Sequence, residues 1–274
     1  MEKHLVVLTG ASGKIGKRVR QYLKGKCLLR SADIVAMDSP EGDEEVVVCD
    51  LTDLDATRKL FAGASVVVHL AGIPREAPIE DIAAANLVAT WNVYQAAREA
   101  GVKRVIFGST NHVVGFYRVG ERLDADSLAR PDTLYGASKV FGEAVARLHW
   151  DKHAIESVCL RIGSALERPL NQRQLSTWIS YEDLNRLIWA SITAERVQYR
   201  VVYGISNNSQ AWWDNSGANH LGYEPLSRAD DFADELVALE SVLHPQGDES
   251  VSAQFQGGPW AADGYSADQG KVST

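Results

Sequence analysis

The sequence predicts an α/β fold, a doubly wound parallel sheet, on three observations. Short apolar runs alternate with helix-length amphipathic stretches as far as about residue 160. A glycine-rich turn joins the first run to the first helix. Polar residues gather just past the ends of later runs, where open parallel sheets hold their ligands. With 274 residues, 45% of them hydrophobic, the chain can bury one large core and a smaller appended region.

Bulk properties narrow the partners. The formal net charge of −8 argues against nucleic acid and anionic membrane surfaces. Three cysteines, Cys27, Cys49 and Cys159, are widely spaced and show no metal or disulfide pattern, which fits a reducing cytoplasm. Cys49 and Cys159 lie in apolar runs and read as core. No apolar run approaches the roughly 18 residues of a membrane span, and the first residues lead straight into a strand without a signal peptide. The expectation is a cytoplasmic protein.

Leu5–Leu8 is an apolar run of the kind that forms a strand buried on both faces. Gly10-Ala11-Ser12-Gly13-Lys14-Ile15-Gly16 follows and opens a helix reaching about Leu23. Strand, glycine turn and helix in that order make a Rossmann-type dinucleotide site. Gly10 allows the tight turn, Gly13 the close approach to a pyrophosphate, and Gly16 close helix packing. The phosphate would meet the helix N-terminus at Ser12, Lys14 and Ile15. A second strand near Cys27–Arg30 leads to Asp33, an acid about 20 residues past the glycines. Such an acid binds a ribose 2′-hydroxyl and repels a 2′-phosphate, so Asp33 predicts NAD over NADP. Asp38 is the rival acid, and Arg30 is the one nearby feature suited to a phosphate.

Glu45–Asp50 reads as a third strand. Asp50 at its end either accepts from the adenine amino group or caps a helix starting near Asp53, and Leu51 beside it is a candidate cofactor contact. Ser65–Gly72 is the fourth strand, and its exit Leu70-Ala71-Gly72 is small enough for a backbone to approach a ligand. His69 within it reads as a core histidine. A loop over Pro74–Ile79 precedes a helix from Ile82 to Ala100, stopped by Gly101. That helix carries Asn86, a candidate cofactor contact, and a packing face of Leu87, Trp91, Tyr94 and Ala97. Arg104–Gly108 is a fifth strand and runs into four polar residues, Ser109-Thr110-Asn111-His112. The next helix runs from Tyr135 to about His153, and Ile155–Leu160 is a sixth strand, followed by Arg161-Ile162-Gly163-Ser164. The implied division is a dinucleotide-binding domain over 1–160 and a substrate-binding region over 161–243. Within the latter, Ser180–Ser191 is an amphipathic helix and Arg200–Gly204 a late strand. Residues 244–274 read as a polar tail with few anchors, mobile or draped on the surface.

Tyr135 and Lys139 stand one turn apart on one helix face. A nearby ammonium favours the phenolate, so Lys139 is expected to draw the Tyr135 pKa down from roughly 10 toward that of a working base. Such a pair takes a proton from an alcohol while a nicotinamide takes the hydride.

Gly10–Gly16, Leu70-Ala71-Gly72, Thr110, Tyr135 and Lys139, in that order, resemble the extended short-chain dehydrogenase/reductase superfamily, of the NAD-dependent epimerase/dehydratase kind. Ser109–Tyr117, Arg161–Ser164, Leu175–Trp178, Val202–Gly204 and Trp212–Asn215 narrow the resemblance to the bacterial uronate dehydrogenase family. It extends to about Pro225 and more loosely to Gly258. The resemblance implies oxidation of a hexuronic acid at its C1 hydroxyl to an aldarolactone, with Tyr135 as base, Lys139 lowering its pKa and Thr110 binding the reacting oxygen. It also implies that Asn111 and His112 bond sugar hydroxyls, and that Ser164 and Arg173 hold the substrate, Arg173 by its carboxylate. Gly72, Asn86 and Ile162 join the cofactor contacts. Where the family has a substrate-contacting serine this chain has Pro74, which offers neither hydroxyl nor N–H; Arg75 beside it is the candidate replacement. Related enzymes on this scaffold oxidise glucose 6-phosphate at C1 or epimerise nucleotide sugars, and those readings stay open. Relatives also imply a homo-oligomer.

Overall fold

The computed structural model describes residues 4–40, 42–244 and 248–266. Its strands are β1 Leu5–Thr9, β2 Leu28–Asp33, β3 Glu44–Val48, β4 Val66–His69, β5 Arg104–Thr110, β6 Glu156–Ile162, β7 Ser164–Ala165, β8 Trp178–Ile179 and β9 Tyr199–Gly204. The helices are α1 Lys14–Leu23, α2 Leu54–Leu60, α3 Ile79–Ile82, α4 Ala89–Ala100, α5 Leu134–His153, α6 Gln174–Thr177, α7 Tyr181–Thr193, α8 Ala233–Leu243, α9 Val251–Gln254 and α10 Pro259–Ala262. A wider π turn over Ala83–Val88 joins α3 to α4.

The main sheet runs β3-β2-β1-β4-β5-β6-β9, every pair parallel. Strand alternation decides its two layers. Val6 and Leu8 point to the face where Val19 and Leu23 of α1 and Leu187 and Ile188 of α7 close the core. Val7, Val67 and Phe107 point to the other face, against Leu60 of α2, Val93 and Tyr94 of α4, and Val145 of α5. Helix ends follow local chemistry. Asp53 caps α2 by accepting from the N–H groups of Asp55 and Ala56, and Ser180 caps α7 through Asp183. Gly101 closes α4 at φ 69°, a conformation glycine adopts without Cβ strain.

Three sequence expectations change. The division at residue 160 is not a structural boundary, because β9 hydrogen-bonds along β6 and completes the main sheet while α7 packs on α1. The buried stripe of α4 runs through Ala89, Val93 and Ala96, repeating at i, i+4 and i+7, so Trp91 falls outside it and is 43% exposed. Tyr94 and Ala97 are buried as expected. The third change concerns the tail, whose residues 248–266 are anchored. Phe255 and Gln256 are buried, and the Gln256 amide accepts from Trp213 Nε1 at 2.7 Å and donates to the carbonyls of Arg118 and Glu121. A buried amide with all these partners costs little to desolvate and locks its backbone in place. The rest of the tail, 245–247 and 267–274, lies outside the described residues. No helix among the described residues is long and apolar enough to cross a membrane.

Candidate active site

The chain winds outward from β1 to β3, then returns to place β4 on the other side of β1. Ligands bind at such a reversal, beyond the carboxyl ends of the strands. A cavity of about 990 Å³ opens there and runs from the glycine turn to α5. Gly10 has φ +73°, and a Cβ on it would lie 2.6 Å from Ala71 N; one on Gly16 would lie 1.9 Å from Gly10 O. Only glycine lets the turn press on the β4 exit and α1 press on the turn. Gly13 leads into α1 with no side chain capping the helix, so the first N–H groups are left to a ligand.

Ser12, Lys14 and Ile15 line this end of the cavity, as do Asp50, Leu51, Leu70, Ala71, Gly72 and Ile162 farther along. Asp33 lies on the cavity wall, and its Oδ2 accepts from Ser12 N at 2.9 Å. Arg30 is committed elsewhere: Nε donates to Glu45 at 2.6 Å, and Nη1 donates to Leu60 O and Ala62 O at 2.7 and 2.9 Å. Among the described residues no arginine lines the cavity, and its cations are Lys14 at the glycine turn and Lys139 on α5. The uncapped turn, the acid and the length of the cavity fit NAD. Asp50 serves a local turn, accepting from Thr52 N at 2.9 Å, while Asp53 does the helix capping.

Asn86 departs from expectation. Its side chain is off the cavity wall. Oδ1 accepts from Ile73 N at 2.8 Å, and Nδ2 donates to Ile73 O at 3.1 Å and Ser138 Oγ at 2.9 Å. It braces the loop after β4 against α5, and the close pass of Gly72, whose Cβ would sit 2.8 Å from Asn86 Oδ1, needs a glycine.

Helix α5 brings the Tyr–Lys pair to the cavity. Thr133 Oγ1 accepts from Gly136 N at 2.9 Å, and Glu76, from the loop after β4, accepts from Tyr135 N at 3.0 Å. Tyr135 and Lys139 are both buried, with Lys139 Nζ 5.8 Å from the Tyr135 ring centroid and 4.9 Å from that of Phe107. Burial pushes the Tyr135 phenol up to about 12 against the pull of its hydrogen bond to Thr110, and burial takes Lys139 down to about 8. Burial governs both shifts and moves the Tyr135 phenol up, the opposite direction from the depression expected of Lys139.

The opposite end of the cavity is polar. Thr110, Asn111 and His112 line it, and Asn111 Nδ2 is buried without a hydrogen-bond partner. A buried donor without a partner, on a residue that lines a cavity, calls for an explanation, and a ligand acceptor would supply one. His112 Nδ1 donates to Asp132 at 2.8 Å, and its ring stacks on Trp260 with centroids 4.4 Å apart. Ser164, Arg173 and Arg75, the other expected substrate contacts, are not on the cavity wall. Ser164 Oγ pairs with Thr177 Oγ1 at 3.0 Å. Arg173 Nε donates to Gln256 O at 2.9 Å, Nη2 reaches the same carbonyl, and burial takes the guanidinium down to about 10. Arg75 is exposed. Pro74 lines the cavity. Sequence reasoning missed Asp132 and Trp260. The cue for Trp260 was an aromatic residue in a stretch otherwise rich in small and polar residues; Asp132, inside a loop, gave none.

The chain is similar over nearly its whole length to known proteins. The uronate dehydrogenase of Pseudomonas syringae pv. tomato is 42% identical over 266 residues, 96% of this chain and 95% of that one. A crystal structure of a point mutant of the Agrobacterium tumefaciens uronate dehydrogenase, complexed with NAD, superposes with a TM-score of 0.89 at 40% identity, covering 95% of this chain and 97% of that one. An NAD-dependent glucose-6-phosphate dehydrogenase of Haloferax volcanii is 34% identical over 86% of this chain and 98% of that one. A family model described as NAD dependent epimerase/dehydratase matches residues 6–196, from within β1 to beyond α7. The dinucleotide cradle and the Tyr135 helix both fall inside that span, and the chain belongs to the NAD-dependent epimerase/dehydratase family.

Proposed function

We propose that the protein oxidises the C1 hydroxyl of a hexuronic acid, in its pyranose form, to the aldarolactone. One observation carries the reading: Tyr135 and Thr110 line one cavity together with the dinucleotide turn and with Asn111, whose amide nitrogen is buried without a partner. The full-length likeness to uronate dehydrogenases supplies the substrate class.

Tyr135 takes the C1 hydroxyl proton as the C1–H bond gives up its hydride and the C1–O bond becomes a carbonyl. NAD, when bound, supplies the hydride acceptor. Lys139 stabilises the phenolate, and Thr110 orients the reacting oxygen. Asn111 donates to a ring oxygen or hydroxyl, and His112, with Nδ1 held by Asp132, offers Nε2 to another. Arg173 pairs with the C6 carboxylate by exchanging the Gln256 carbonyl for it, Ser164 adds a hydroxyl contact, and Arg75 stands in for what Pro74 lacks. We also propose that the enzyme is cytoplasmic and a homo-oligomer.

NADH absorbance tests this with glucuronate, galacturonate and glucose 6-phosphate. Turnover of a uronate is expected. Tyr135→Phe should cut kcat by roughly a hundredfold or more while NAD still binds; retained turnover removes Tyr135 from the role of base. The Haloferax relative makes the sugar phosphate the second reading, and turnover of glucose 6-phosphate alone would replace the first. Turnover of a nucleotide sugar without net NADH would replace both with an epimerase.

A further inference from the structure

We infer that Trp260 forms one wall of the sugar site and receives the C–H face of the pyranose on its indole. The inference rests on the sugar-oxidising reading above. Trp260 lines the same cavity as Tyr135, Thr110 and Asn111. Its ring lies 6.0 Å from that of Tyr135 and stacks on His112 at an interplanar angle of 22°.

The indole is held there by the chain that leads to it. Gln256 N donates to Tyr117 O and Gly257 N to Gly115 O, both at 2.8 Å. A Cβ on Gly257 would lie 1.7 Å from Asp132 Oδ2, and one on Gly258, at φ +66°, 2.7 Å from Arg173 Nε. The backbone therefore runs in contact with the partner of His112 and with Arg173, and no side chain larger than hydrogen fits at either step. Pro259 then turns Trp260 back over the cavity in the first turn of α10.

A pyranose has two chemically different surfaces. Its rim carries hydroxyls, matched here by Asn111 and His112. Its ring face carries C–H groups, polarised by the attached oxygens and attracted to the electron-rich face of an aromatic ring. Trp260 is an aromatic surface set beside the polar groups and near the Tyr135 ring. The ligand class is an unbranched pyranose with an open C–H face.

The test compares W260A and W260F with wild type, using whichever of glucuronate, galacturonate and glucose 6-phosphate the wild type oxidises best. For W260A the sugar KM should rise roughly tenfold or more, while NAD affinity and Tm hold. W260F should recover most of the loss. An unchanged sugar KM, or a loss of NAD affinity and Tm in step with KM, would overturn the inference. Failure of the wild type on uronates would sink the proposed reaction by itself. Trp260 has a readout that needs no turnover: in Y135F loaded with NAD, adding the sugar should quench tryptophan fluorescence. The quench should vanish in the Y135F/W260F double variant, and its persistence there would also overturn the inference.

Discussion

Replacing Asp33 by Asn is the sharpest probe of cofactor choice. In the native chain one carboxylate oxygen accepts from Ser12 N at 2.9 Å, while the other has only a long 3.4 Å contact from Val35 N and faces the cavity. Asn keeps an acceptor for Ser12 and removes the charge. A carboxylate and a phosphate about 4 Å apart repel by ~4 kcal/mol at an effective dielectric near 20. Asp33 is half-buried, so screening lowers this to ~1–3 kcal/mol, or roughly 5- to 150-fold in the preference between NAD and NADP. The assay is kcat/KM with each cofactor. D33N should narrow the NAD preference by that factor, chiefly by a gain with NADP, because the loop stays pinned. D33A removes the pin as well and should weaken both cofactors while still narrowing the ratio. A ratio unchanged in D33N would refute the role of Asp33. The gain should stay modest in either variant, since Arg30 is engaged by Glu45 and two carbonyls and is not on the cavity wall.

Two further predictions concern packing and pH. Gly142→Ala puts a Cβ 2.1 Å from Phe107 Cζ in the fully buried layer between α5 and β5, which should cost about 1–3 kcal/mol of stability in urea unfolding. Phe107 also lies beneath Lys139 Nζ, so kcat should fall along with stability; an unchanged urea midpoint would show that the layer gives way freely. His69 is fully buried between Thr9 and Thr90, and burial lowers its pKa from the ordinary 6.5 to about 3. Between those values the unfolded chain binds a proton that the folded chain refuses, so stability is lost as pH falls from about 6.5 toward about 3. His69→Gln should flatten that limb of unfolding free energy against pH, and an identical slope in the variant would place the acid sensitivity elsewhere.

Elements governed by nearby residues were legible in the sequence. The glycine turn, the Ser180 cap and the Gly101 stop each depend on a few neighbours, and each sits where the residues say, whereas the cap of α2 falls to Asp53 and not to Asp50. The strands as far as β6 followed from apolar runs, because parallel strands buried on both faces carry no other pattern. His69 was readable as core for the same reason. The features that escaped depend on chain segments far apart. Joining β9 to β6 is a long-range event that no local pattern announces. A carboxylate partner for Arg173 came only from the family resemblance, and its partner in the structure, Gln256 O, lies 83 positions away. Asn86 looked like a cofactor contact by position, yet its three hydrogen bonds go to Ile73 and Ser138. The tail misled for a compositional reason: Gly257 and Gly258 look like flexibility, whereas here they are what lets the backbone press against Asp132 and Arg173.

The late arrival of β9 has a consequence for how the protein is made. When residues 156–162 leave the ribosome, β6 can pair with β5 on one side, but the donors and acceptors on its other side have no partner until Tyr199–Gly204 follows. For about forty residues of synthesis β6 is an open edge, apolar at Val158, Cys159 and Leu160, of the kind that pairs with strands of neighbouring chains. Substitutions that slow the docking of β9, such as a proline at Val202, should therefore show first as insoluble protein in expressing cells and only second as weakened catalysis.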